Sequence, residues 1–140
     1  MPVFRIYQQR LTNDEIEELN GPNGGWSAKP EFKAYADVGM GTMGATAPDL
    51  NTMVVDATKL GIYTHVCDIE ADDLEHAFMI GNNDLGPMDE RVVTYTHMTS
   101  ICVGNIAVNL DDPLRPAHFC DGYGWKRLTQ ETSQLLHKEG

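Results

Sequence analysis

Apolar and polar side chains alternate from Val3 to Gln9, with Phe4, Ile6 and Gln8 opposite Val3, Arg5, Tyr7 and Gln9, a period of two that predicts a strand. The pattern then changes. Thr12-Asn13-Asp14-Glu15 has the letters of a capping box, Leu11 and Ile16 are spaced as a hydrophobic staple, and Ile16 with Leu19 would form the buried face of a short helix. Gly21 and Pro22 end it. From Asn20 to Pro30 the residues are those of turns, and Trp26 within that loop is expected to pin it to the core. Alternation returns with Phe32, Ala34, Ala36 and Val38 opposite Lys33, Tyr35 and Asp37, predicting a second strand that Gly39 to Pro48 interrupt. Asp49 is placed to cap a helix through Leu50, Met53, Val54 and Ala57, stopped by Gly61.

Ile62 to Ile69 is dense in β-branched and aromatic residues and predicts a strand. A helix is expected from Asp72 to Ile80, where Leu74, Ala77 and Phe78 form the stripe, early acids suit the helix dipole, and Gly81-Asn82 caps the end. After a polar loop from Asn82 to Glu90 come short β segments at Val92–His97, Ile101–Leu110, Ala117–Cys120 and Trp125–Leu128, with Asp111-Asp112-Pro113 as a turn between two of them. A C-terminal helix begins at Thr129. Neither an internal repeat nor a second core shows in the pattern. The expectation is a single compact α+β domain over residues 1–140, mostly antiparallel sheet with two or three short helices.

The chain has 140 residues, enough to bury roughly two thirds of its unfolded surface without a disulfide or a metal. No apolar run approaches the ~20 residues of a membrane span, and Met1-Pro2-Val3-Phe4-Arg5 has no signal-peptide character, so a cytoplasmic chain is expected. Twenty-one acidic against ten basic residues leave a net charge of −11. That excludes the basic footprint of direct nucleic-acid binding and disfavours anionic membranes, while it suits solubility, cations or a basic partner. Three cysteines cannot all pair within the chain, and Cys67, Cys102 and Cys120 are expected as buried, reduced thiols.

Candidate chemistry is thin. Gly39-Met40-Gly41-Thr42-Met43-Gly44 spells a dinucleotide fingerprint, but Pro48 follows before any helical stripe can begin, so a glycine-rich hairpin or loop explains the letters. His65-Val66-Cys67 and His118-Phe119-Cys120 are two His-x-Cys runs in expected strands. Alternation would place each His and Cys on one face, so His65, Cys67, His118 and Cys120 are candidate N₂S₂ zinc ligands, with His97 and Cys102 as substitutes. An EF-hand loop starting at Asp68 fails, because Asp73 and Met79 stand where glycine and glutamate are required. Cys67 with a histidine, or Ser100 with His97, has no activating frame around it. No cofactor is implied.

Phe4 to Ile16 resembles the opening of small uncharacterised proteins of marine T4-like cyanophages, and so does the run from Tyr63 to Asn83. More distantly, the C-terminal half resembles the YodL-like domain of phages and mobile elements, whose hallmark is a Ser-x-Ser-Val-Gly-Asp turn, a Tyr-Cys strand and a Gly-Phe or Gly-Trp. The matching letters are Ser100-Ile101-Cys102-Val103-Gly104-Asn105, then His118-Phe119-Cys120 and Gly124-Trp125, with Cys102 in place of the second serine and Asn105 in place of the aspartate. The resemblance implies a phage origin and a compact β-rich half, and it carries no activity or site residue.

The functional expectation is a non-catalytic protein that binds and modulates a host factor. Its candidate contact residues are Asp14, Glu15, Glu17 and Glu18 in one acid run and Asp68, Glu70, Asp72, Asp73 and Glu75 in another. DNA mimicry is a variant of that reading. The alternatives are a zinc-binding or hydrolytic enzyme on His65, Cys67, His118 and Cys120, and a virion-associated structural protein.

Overall fold

The computed structural model describes residues 2–22, 24–25, 28–40, 50–82, 92–94, 99–122 and 124–139. The N-terminal strand β1 (Val3–Gln9) lies inside the sheet, flanked by β2 (Tyr63–Glu70) and β4 (Ile106–Asn109). Outside these are β3 (Val92–Thr94) on one edge and β5 (Ala117–Asp121) followed by β6 (Gly124–Arg127) on the other. The order is β3-β2-β1-β4-β5-β6, and every neighbouring pair is antiparallel.

Helices cover both faces. On one face α2 (Pro30–Met40), α3 (Leu50–Lys59) and α5 (Gln130–Glu139) bury Val38, Val54, Ala57 and Leu136 against Tyr7, Ile106, Val108 and Phe119. On the other, α4 (Leu74–Gly81) buries Ala77 and Ile80 against Phe4, Ile6, Val66, Ile69 and Ile101. Each of these large apolar side chains contributes about 1.5–3 kcal/mol on burial. The single α+β domain with a mainly antiparallel sheet is therefore what the chain adopts, with five helices among the described residues rather than two or three.

The additional helix is α2, which replaces the strand expected at Phe32–Val38. Pro30 opens it at a first-turn position that needs no N–H donor, and Lys33 pairs with Asp37 one turn on at 2.8 Å. Its buried residues are Phe32, Ala34 and Val38, with Tyr35 packed against the same core. Ala36, needed for the alternating pattern, is only half-buried.

The first helix, α1 (Asn13–Leu19), has the expected capping box, with Thr12 accepting from the Glu15 amide and Glu15 accepting from the Thr12 amide. It buries no residue, and Ile16, expected on a buried face, is 43% exposed. Ile101 to Asn105 is loop before β4 begins at Ile106, not strand. The expectations for Trp26, for Asp49, for Gly41 to Pro48 and for His97 fall outside the described residues. Gly39 sits in the last turn of α2, so no strand leads into the glycine-rich run as a dinucleotide fold requires. Among the described residues no helix is long and apolar enough to cross a membrane.

Candidate functional site

The two acid runs do not share a surface. β1 and β2 run antiparallel, with Gln9 opposite Tyr63 at one end and Val3 opposite Glu70 at the other. α1 leaves the first end and α4 the second, so a strand's length of about 20 Å lies between them.

Several of the acids are also committed to the fold. Glu15 closes the α1 capping box, Glu18 pairs with Lys29 at 2.6 Å, and Asp73 caps α4 by accepting from the His76 amide at 2.8 Å. Asp68 turns onto the face carrying α2, where its Oδ1 takes the His65 Nε2 at 2.9 Å and the Arg5 Nε at 3.4 Å. Tyr7 lies beside His65 with ring centroids 5.8 Å apart; burial pushes its phenol up, and nearby Arg5 offsets part of that rise.

What remains is an acidic rim at the Val3 end of the sheet. Glu70, Asp72 and Glu75 are exposed there. Across β1 they are joined by Asp111, whose carboxylate accepts the Val3 amide at 2.8 Å, and by Asp112, which accepts the Leu114 amide at 2.9 Å. Among the described residues Glu70, Glu75 and Asp111 have no ion-pair partner, while Asp72 stands 3.6 Å from His76 Nδ1. The two aspartates were legible only as a turn. Their nearness to Glu70 follows from β1 lying between β2 and β4, which no local pattern reveals.

The zinc tetrad does not assemble. The register passes from Ile6 opposite Cys67 to Tyr7 opposite His65, leaving Val66 as an extra residue in β2. This bulge turns Cys67 into the α4-side core while His65 stacks on Tyr7 on the opposite face. Among the described residues no group of three or more His, Cys, Asp and Glu side chains is placed to hold a metal ion.

The thiols are also unsuited to nucleophilic work. Burial pushes Cys67 up to about 12 and Cys120 up to about 11, so both are protonated near neutrality. Cys102, expected buried, is exposed; partial burial of its sulfur pushes the thiol up, and a hydrogen bond with Asn105 offsets part of this. His118 is held below its ordinary value by burial first and by Arg127 second, and its buried Nδ1 has no hydrogen-bond partner among the described residues.

The loop from Thr99 to Asn105 forms a compact polar node with β1. Residues Cys102 to Asn105 make a turn closed by the Asn105 amide donating to the Cys102 carbonyl at 3.1 Å. Gly104 adopts φ +99°, and a Cβ there would meet the Gln9 side chain and lie 2.7 Å from the Val38 carbonyl oxygen. Asn105, 2% exposed, accepts from the Cys102 amide and from Gln8 Nε2, and donates to Gln9 Oε1 at 2.8 Å. Gln8 also pairs both ways with the backbone of Thr99, and the Tyr63 hydroxyl donates to the Gly104 carbonyl at 2.7 Å. Beside the node Gln9, Arg10, Leu11, Ile16, Tyr35, Thr99 and Cys102 line a pocket of about 230 Å³. Its amides are occupied with one another, so they hold the loop to β1.

No family model, curated protein or solved structure matches the chain.

Proposed function

We propose that this protein is a phage-encoded, non-catalytic binding protein that engages a basic host protein through the acidic rim formed by Glu70, Asp72, Glu75 and Asp111. The observation that carries this reading is the gathering of those carboxylates at one sheet end, with no salt bridge from Lys or Arg to any of them among the described residues, on a chain of net charge −11. A concentrated field of one sign accelerates encounter with a cationic surface and is screened by salt. The chain's other reactive groups support the same reading: its described buried thiols are protonated, and its paired histidine and carboxylate serve a sheet contact.

The test is capture from a cyanobacterial host lysate by the immobilised full chain, washed at low and high salt. Two variants run alongside it, Glu70→Gln/Asp72→Asn/Glu75→Gln/Asp111→Asn and Asp14→Asn/Glu17→Gln. A basic host protein held at low salt, released at high salt and lost from the first variant alone supports the rim. Retention insensitive to salt, equal loss from both variants, or capture of phage structural proteins alone overturns it.

A further inference from the structure

The far edge of the sheet has the opposite character to the rim. β6 is the last strand in the order, and it pairs with β5 so that Gly124 faces Asp121, Trp125 faces Cys120, Lys126 faces Phe119 and Arg127 faces His118. The Leu128 amide donates to the Ala117 carbonyl at 2.9 Å, which fixes the phase of the ladder. Alternation then directs the backbone groups of Gly124 and Lys126 toward β5 and those of Trp125 and Arg127 outward. Among the described residues those outward amides and carbonyls have no backbone partner.

The side chains along this edge add charge. Lys126 and Arg127 are the only adjacent basic residues in the chain, both are exposed, and neither has an ion-pair partner among the described residues. Pairing with Phe119 puts Lys126 on the face of the α2–α3–α5 layer, and pairing with His118 puts Arg127 on the α4 face. A strand laid along the edge therefore meets a cation on each side. Trp125 packs edge-on against Phe78 with centroids 6.5 Å apart, so β6 is held in place before anything binds.

We infer that the edge of β6, unpaired among the described residues, is a docking strand for an extended, acidic segment of another protein, which adds a seventh strand through the backbone of Trp125 and Arg127 and sets carboxylates against Lys126 and Arg127. Strand addition of this kind takes its affinity from main-chain hydrogen bonds and its selectivity from the flanking side chains. Two copies of β6 would oppose their own cations, which disfavours pairing of the chain with itself. None of its contact residues belongs to the acidic rim, so variants of each surface test the two readings apart.

The experiment is NMR titration of the full chain with acetyl-Thr-Val-Glu-Glu-Val-Thr-amide, and with the peptide in which both glutamates are lysine. The acidic peptide is expected to shift and protect the Trp125 and Arg127 amides and to raise the titration midpoint of His118, whose charged form Arg127 disfavours in the free protein. Lys126→Glu/Arg127→Glu, at exposed positions, is expected to weaken the acidic peptide at least about tenfold and to bind the basic one. The inference is overturned if millimolar acidic peptide leaves those amides unmoved, if both peptides bind alike, or if the same amides shift only with protein concentration, which would make a second copy the occupant.

Discussion

Asn105 works as donor and acceptor at once, which an ionised aspartate in its place could not do. Its amide nitrogen donates to Gln9 while its oxygen accepts from Gln8 and from the Cys102 amide. Asn105→Asp keeps the acceptor but sets oxygen against oxygen at Gln9 in a buried place, and a cost of about 1–3 kcal/mol is expected at neutral pH. Burial would hold the new carboxyl above the unfolded value of about 3.9, so the deficit should shrink as pH falls through that range and the protonated acid can donate. Urea titrations of both proteins at pH 7 and pH 4 measure it; a deficit equal at both pH values would show that geometry, not charge, is at fault.

His118 gives the wild type its own pH dependence. Burial and Arg127 keep its folded value below the ordinary 6.5, so the unfolded chain takes up the proton first. Its contribution is present above about pH 6.5 and is lost as pH falls below it. His118→Phe should flatten that part of the stability profile. The thiols act at the alkaline end. Unfolded cysteine ionises near 8.5, whereas Cys120 and Cys67 hold their protons to about 11 and about 12. Stability is thus unaffected by them below about pH 8.5 and falls above it. The same burial predicts that iodoacetamide at pH 7.5 alkylates Cys102 alone in the native chain and reaches Cys67 and Cys120 only in denaturant, which mass spectrometry would read directly.

Among the elements, α1 depends on its cap. It buries no side chain, so Thr12→Ala removes one of the few interactions that favour the helix and should cost about 0.5–2 kcal/mol locally. Faster amide exchange across Asn13–Leu19, with the sheet unchanged, is the expected signature. Gly104 is the opposite case, a single residue on which the loop-to-sheet junction depends. A methyl group there meets Gln9 and the Val38 carbonyl in a left-handed conformation, so Gly104→Ala should destabilise by several kcal/mol, of order 3.

These elements also show what local pattern can carry. β1, β2, α3 and α4 were legible because their apolar residues are large and their ends are punctuated. α2 was not, because its apparent alternation leaned on Ala34 and Ala36. Alanine counts as apolar in a pattern yet is the strongest helix former, and Tyr35, assigned to the polar side, packs on the core. The bulge at Val66 was invisible for a related reason. An extra residue leaves the alternation of letters intact and reverses which face the next side chain meets, so the His65/Cys67 pair read as one site is two. The rim was half legible: its β2 and α4 carboxylates stand in one run, but Asp111 joins them only through the sheet order.

At the scale of the whole molecule, one sheet shared by two cores couples those parts, because β1 contributes Phe4 and Ile6 to one core and Tyr7 to the other. Unfolding either helical layer exposes the same strand, so a single cooperative transition is expected. The charge acts on this unit as a whole. The sheet order sets Glu70, Asp72, Asp73, Glu75, Asp111 and Asp112 near one another at one end of a chain of net charge −11, and their mutual repulsion is larger in the folded chain than in the expanded one. Salt screens it within a Debye length of about 10 Å at 0.1 M and about 3 Å at 1 M. The folded protein should therefore become more stable as sodium chloride rises from 20 to 500 mM, by about 1 kcal/mol or a few degrees in Tm. Charge-removal at Glu70, Asp72, Glu75 and Asp111 should raise Tm at low salt and abolish most of that salt effect. The same addition of salt is expected to weaken capture of a basic partner, so stability and binding should move in opposite directions along one titration. If thermal melts show Tm falling with salt instead, the ion pairs of Arg5, Lys29 and Lys33 outweigh the rim's repulsion, and the rim is then too weakly charged to drive association.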